Sequence, residues 1–244
     1  MSATRRTAAQ ARWETTLLMR NGEQLLLTII IPIAILLVLA ETDIVATYTG
    51  PDRLPSALAT VLTVSVVSGA FTSLAIATAF ERRSGALRFL GTTPLTRTEL
   101  LLGKLLATAA VTGLSAVVVT ALALVLGWRP TVGSAWVILE LFAGAAAFAS
   151  WGIALAGLLR AEAVLAVANG IFLVLLMFGG IIVPPSALPS VVGTIATWLP
   201  SGALSEMLTD TLVSGSAPSW AGLLTLAVWF VVGAVVASRT FRWS

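Results

Sequence analysis

"FERRSGALRFLGTTPLTRTELLLGK", residues Phe80 to Lys104, gathers four arginines and the chain's only lysine between two long apolar runs. Outward from this stretch, 58% of the 244 residues are hydrophobic and only 10% are charged. Soluble domains carry about 25% charged residues, so the composition points to an integral membrane protein. Its length leaves room for about six spans of roughly 20 residues each. The apolar segments predict those spans at Leu25–Ala40, Ser56–Phe80, Leu105–Leu126, Trp136–Leu159, Ala163–Val183 and Trp220–Ala237. Pro32 is expected to kink the first of them.

Charge orients the spans. With the N-terminus inside, Arg5, Arg6, Arg12, Arg20, Arg82, Arg83, Arg88, Arg97, Lys104, Arg160, Arg239 and Arg242 are cytoplasmic, and only Arg53 and Arg129 lie outside. This imbalance is the positive-inside pattern, and it predicts both termini on the cytoplasmic side. Glu41, Asp43, Asp52, Glu206 and Asp210 fall on the outer side, where Trp128, Trp136, Trp198 and Trp220 are expected to form an interfacial belt. Residues 1–24 read as a retained interfacial helix with Trp13 and Leu17 on one face, in preference to a signal peptide. Residues 184–218, free of lysine and arginine, read as an outer re-entrant hairpin. Its two short helices are predicted at Ala187–Thr197 and Gly202–Val213, with Ser201 capping the second.

The opening stretch has its own local logic. Glu81 to Leu90 is expected to be one short helix with Ala86, Leu87 and Leu90 on one side and Glu81, Ser84 and Arg88 on the other. Gly91 suits its C-terminal cap, and Pro94 blocks continuation. Thr96 and Glu99 form a capping box that starts the third span. Arginines gathered here also satisfy topology alone, or attract anionic headgroups at about 1 kcal/mol each.

These residues resemble the segment after the second span of ABC type-2 exporter permeases. The resemblance rests on Glu81-Arg82-Arg83, Gly85, Leu87 to Leu90, Thr93-Pro94-Leu95 and Gly103-Lys104. A second mark follows in "GGIIVPPSALPSVVGTIATWLP", with Gly179-Gly180, Pro184, Pro189 and Pro200. The resemblance covers essentially the whole chain. It implies an all-α integral membrane protein whose single six-helix transmembrane domain covers residues 25–238. Residues 81–95 would be a cytoplasmic coupling helix and turn between spans 2 and 3, and 239–244 a cytoplasmic tail. It also implies that Glu81, Arg82, Arg83, Ser84, Arg88 and Phe89 contact a separate ATP-hydrolysing subunit, present in two copies. A second permease chain, identical or homologous, would complete the complex among membrane lipids, without nucleic acid. ATP and Mg²⁺ would sit on the partner subunit, with no cofactor bound directly.

What the chain lacks agrees with that division of labour. There is no G-x-x-x-x-G-K-[ST] phosphate loop, because Lys104 is followed by Leu105 and the upstream glycine is missing. With no cysteine or histidine, thiol nucleophiles, sulfur- or imidazole-bound zinc and histidine acid–base chemistry are excluded. Inside the membrane, Glu140, Asn169, Gly179 and Gly180 are the candidates for a pathway or gating role. Gly179 and Gly180 are expected to loosen the fifth span. The expected function is the permease subunit of an ATP-driven exporter in a bacterial plasma (inner) membrane, moving a drug, lipid or lipid-linked compound. An ion-coupled secondary transporter and an intramembrane lipid-modifying enzyme remain the alternatives.

Overall fold

The computed structural model describes residues 2–20, 22, 26–41 and 52–240, and every regular element among them is helical. Leu25, Asp43 and Arg242, each used in the expectations above, lie outside the described residues. Helix α1 covers Ala3–Arg20. It buries Gln10 and Glu14 against the bundle, while Trp13 and Leu17 remain 61% and 48% exposed. The expected interfacial helix therefore turns a polar stripe inward and an apolar one outward.

The first apolar segment begins with a widened π turn, Leu26–Ile30, and continues as α2, Ile31–Glu41. Pro32 has no N–H and so gives nothing to the carbonyl four residues before it, at Thr28. The buried Ser115 hydroxyl donates to that carbonyl instead. The stretch Thr28–Glu41 holds 14 residues, about 21 Å at 1.5 Å per residue. That is short of a hydrocarbon core of about 30 Å. Among the described residues, five helices rather than the expected six are long and apolar enough to cross a membrane.

These five are α3 (Arg53–Arg83), α5 (Arg97–Val125), α6 (Val137–Leu158, preceded by a 3-10 turn from Val132), α7 (Ala161–Phe178) and α10 (Trp220–Thr240). Between α3 and α5 stands a single turn, α4, Ala86–Leu90. The expected boundaries shift for local reasons. Helix α5 starts at Arg97 because the capping box is made: Thr96 Oγ1 accepts from the Glu99 N–H at 3.3 Å, and the Glu99 carboxylate accepts from the Thr96 N–H at 2.9 Å. Helix α7 stops at Phe178, not Val183, because Gly180 turns left-handed at φ 76°.

Helix α3 is the centre of the bundle, with 72% of its apolar window buried, whereas α7 and α10 bury only 17% and 22% of theirs. A π turn at Val67–Ser73 interrupts α3, and α6 packs onto its backbone at Gly152. A Cβ there would lie 2.8 Å from the Phe71 carbonyl oxygen. Gly144, Ala145 and Ala147 are buried on the same helix, where small side chains allow close helix packing.

The expected hairpin is α8 (Ser190–Trp198) and α9 (Pro200–Ser214); its first helix is shorter and its second longer than the sequence predicts, and the two lie closer together. Only Leu199 separates them, held extended at φ −78°, ψ 146° by the proline that follows. Pro200 thereby opens α9, where its missing N–H costs nothing. Ser201 does not cap this helix; its hydroxyl donates to the Gly179 carbonyl at 2.8 Å. Trp128 also departs from expectation. Gly127, at φ 105°, folds the chain back after α5 and carries Trp128 inward to 7% exposure, while Trp136, Trp198 and Trp220 stay exposed.

Candidate functional site

Three consecutive charged residues end α3, and each goes to a different neighbour. The Glu81 carboxylate accepts from Lys104 Nζ of α5 at 2.6 Å. Arg82 Nη1 donates to the Gly157 carbonyl at 3.1 Å, and Nη2 donates to that of Leu159. These two oxygens belong to the C-terminal end of α6, where helical carbonyls lack intrahelical donors. Arg83 pairs with Glu162 at the start of α7, with both side chains more than half exposed. The triplet thus joins the foot of α3 to α5, α6 and α7.

The helix expected over residues 81–90 breaks in the middle. Ser84 closes α3 by donating to the Glu81 carbonyl at 3.0 Å, and Gly85 then takes φ 81°, a left-handed turn open to glycine. Gly91 caps the C-terminus of α4 as expected, though in a right-handed conformation at φ −63°. The break also re-aims the turn that follows. Leu87 is fully buried and anchors α4 in the core, Leu90 is half-buried, and Ala86 faces out instead of joining them. Arg88 is exposed and Phe89 is 72% exposed. Of the six residues named for subunit contact, Glu81, Arg82 and Arg83 are therefore engaged by the bundle. Ser84, Arg88 and Phe89 point away from it.

Behind the turn lies a charged cluster. Lys104, 1% exposed, stands 2.8 Å from Glu14 Oε1 and 2.6 Å from Glu81 Oε2. Gln10 Nε2 donates to the same Glu14 oxygen at 2.9 Å. Gly103 makes the approach of α1 possible, since a Cβ there would lie 2.7 Å from Gln10 Cγ. Arg6 adds a second tether: its guanidinium grips Glu99, with the shortest contact at 2.6 Å. The capping carboxylate of α5 therefore also binds α1.

The intramembrane candidates divide into two groups. Glu140 is fully buried and accepts from Thr211 Oγ1 of α9 at 2.7 Å; its second oxygen has no hydrogen-bond partner among the described residues. Gly179 and Gly180 also pack against α9. A Cβ on Gly179 would lie 2.6 Å from Ser201 Oγ, and one on Gly180 would lie 3.1 Å from Gly202 Cα. The glycine pair is thus held tightly against the hairpin, the opposite of a loosened segment. Asn169 stands apart: it donates to the Leu165 carbonyl of its own helix at 2.8 Å and faces outward. With Thr60, Ser68 and Thr72 it lines a groove of about 430 Å³ between α2, α3 and α7. Thr72 is 8% exposed, and its hydroxyl has no partner among the described residues.

Sequence reasoning misses Gln10 and Glu14, because an acidic residue in a basic amphipathic helix reads as solvated. The one signal is the spacing of Gln10 and Glu14, four residues apart and so on one helical face. Lys104 is visible in the sequence as part of a motif but without its partners, which lie far away in the chain.

No curated protein matches the chain. The model of the family described as "ABC-2 family transporter protein" matches residues 40–239, from the end of α2 through nearly all of α10. The chain is thus a multi-pass membrane protein and belongs to the ABC-2 transporter family, whose members form the membrane component of transporters that normally work with an ATP-binding subunit.

Proposed function

We propose that the chain is the permease subunit of an ATP-driven exporter, with α4 as the coupling element that docks on the ATP-binding subunit. One observation carries this reading: an exposed Arg88–Phe89 pair stands at the tip of a turn whose stem is bound to three neighbouring helices. A solvated aromatic beside a cation is the residue chemistry of an interface anchor. A stem tied to several spans converts a push on the tip into movement of the bundle. ATP and Mg²⁺ would be held by two copies of the partner subunit. A second permease chain would cover the apolar faces of α7 and α10. Six spans would put both termini in the cytoplasm of a bacterial inner membrane. Arg88→Glu combined with Phe89→Ala should reduce co-purification of the ATP-binding subunit and transport at least about tenfold, a loss of about 1.4 kcal/mol or more. Stability of the permease should stay within about 0.5 kcal/mol. Transport at the unmodified rate would rule the reading out.

The groove at Asn169 and Thr72 is the proposed half-path for a lipophilic or amphipathic cargo. Its walls are apolar apart from a few hydroxyls and one amide, which suits a greasy molecule bearing some polar groups. Thr72→Val separates this role from stability. Removing a buried hydroxyl that lacks a partner among the described residues should leave the stability unchanged or raised, by up to about 1–3 kcal/mol of relieved desolvation. Transport of a polar-bearing cargo should fall. Equal transport by both proteins would remove Thr72 from the path.

A further inference from the structure

We propose that Lys104 is a positioning residue that makes α1 move as one body with the α4 turn, so that the N-terminal helix takes part in coupling and is more than a membrane anchor. The proposal rests on the reading of α4 as the docking element. Its own support is geometric.

Lys104 is buried between the foot of the turn and α1. Its ammonium is within 2.6 Å of Glu81, at the foot of the turn, and within 2.8 Å of Glu14, on α1. An ammonium has three donors on a flexible stem, so it can serve two carboxylates from different helices at once. With Lys104 only 1% exposed, solvent does little to screen either contact. The two carboxylates share this ammonium, so losing either contact leaves the buried Lys104 charge less compensated. Gln10 fixes the orientation of Glu14, and the Arg6–Glu99 grip stops α1 from pivoting about a single point. Beside the cluster a cavity of about 170 Å³ separates Leu17 and Leu18 of α1 from Gly69 and Ala77 of α3. Apolar packing between α1 and α3 is therefore incomplete on that side, where the ionic contact bridges them, while α1 otherwise packs along α5.

The test uses the full chain in lipid nanodiscs, with spin labels at Trp13 of α1 and Arg88 of α4. In the otherwise unmodified protein the distance distribution between labels should be narrow. Lys104→Met and Glu14→Gln should broaden it, and Lys104→Arg, which can still bridge both carboxylates, should restore it. In the complex with the ATP-binding subunit, without labels, cargo moved per ATP hydrolysed should fall at least about fivefold for Lys104→Met and Glu14→Gln and recover in Lys104→Arg. Glu14→Gln keeps the Lys104–Glu81 pair, so it decides the matter if Lys104→Met does not fold. Narrow distributions and normal transport per ATP in these variants would overturn the proposal. If instead the labels behave as stated while the Arg88/Phe89 variant transports normally, only the docking reading falls.

Discussion

Gly202→Ala should lower the stability of the chain by about 3 kcal/mol, equivalent to roughly 6–12 °C in melting temperature on the scale of globular proteins of this size. The added Cβ would stand 2.0 Å from the Ala196 carbonyl oxygen and 2.8 Å from its carbon. Both atoms are backbone, in a helix joined to α9 by the single residue Leu199, so neither can rotate away. Opening the α8–α9 corner would pull Ser201 from the Gly179 carbonyl and disturb the close contact of Gly202 with Gly180. Gly170→Ala is the matched control. A Cβ added at Gly170 would meet nothing within 4 Å, and a glycine-to-alanine change inside a helix is expected to stabilise by up to about 1 kcal/mol. Thermal unfolding of the two variants side by side checks the pair. A Gly202→Ala protein that melts with the parent would show that the hairpin corner is not close-packed.

Arg82→Ala should also cost about 3 kcal/mol, because two hydrogen bonds from a charged donor are lost together and each is worth about 1.5–3 kcal/mol in favourable settings. The carbonyls of Gly157 and Leu159 would lose their donor at the point where the chain leaves α6 for α7. Arg82→Lys should recover only part of the loss, since one ammonium lacks the fork geometry that reaches both oxygens. The neighbouring substitution gives a sharp contrast. Arg83 pairs with Glu162 where both side chains are more than half exposed, and such pairs contribute about 0–1 kcal/mol. Arg83→Ala should therefore leave the melting temperature within experimental scatter. Equal losses for Arg82→Ala and Arg83→Ala would contradict the division of the triplet into inward and outward members.

That division is not legible from sequence. Glu81, Arg82 and Arg83 read as one charged face of a cytoplasmic helix, and that reading assigns all three to a partner subunit. The sequence does not encode locally that Lys104, Gly157 and Glu162 lie within reach of this one turn, because they are far from it along the chain. The Gly85 break is equally hidden, since a glycine beside a serine is compatible with a helix that continues. By contrast, Thr96 and Glu99 are legible, because a capping box is satisfied entirely within four residues. The stop at Phe178 and the start at Pro200 have local causes in glycine and proline, yet the sequence reading puts them at Val183 and Gly202, because the contacts that use them are not local. Glycine there permits contact between α7 and α9, and contact between distant helices cannot be seen along the chain.

Composition and hydropathy therefore determined the class of this protein: a helical membrane bundle with one charged elbow and a proline-bounded hairpin. Those features follow from solvation and backbone sterics acting residue by residue. Tertiary structure alone decided which charges face inward. A buried ion pair or a hydroxyl on a free carbonyl forms only when packing brings two remote segments within about 3 Å and excludes the water that would otherwise satisfy them.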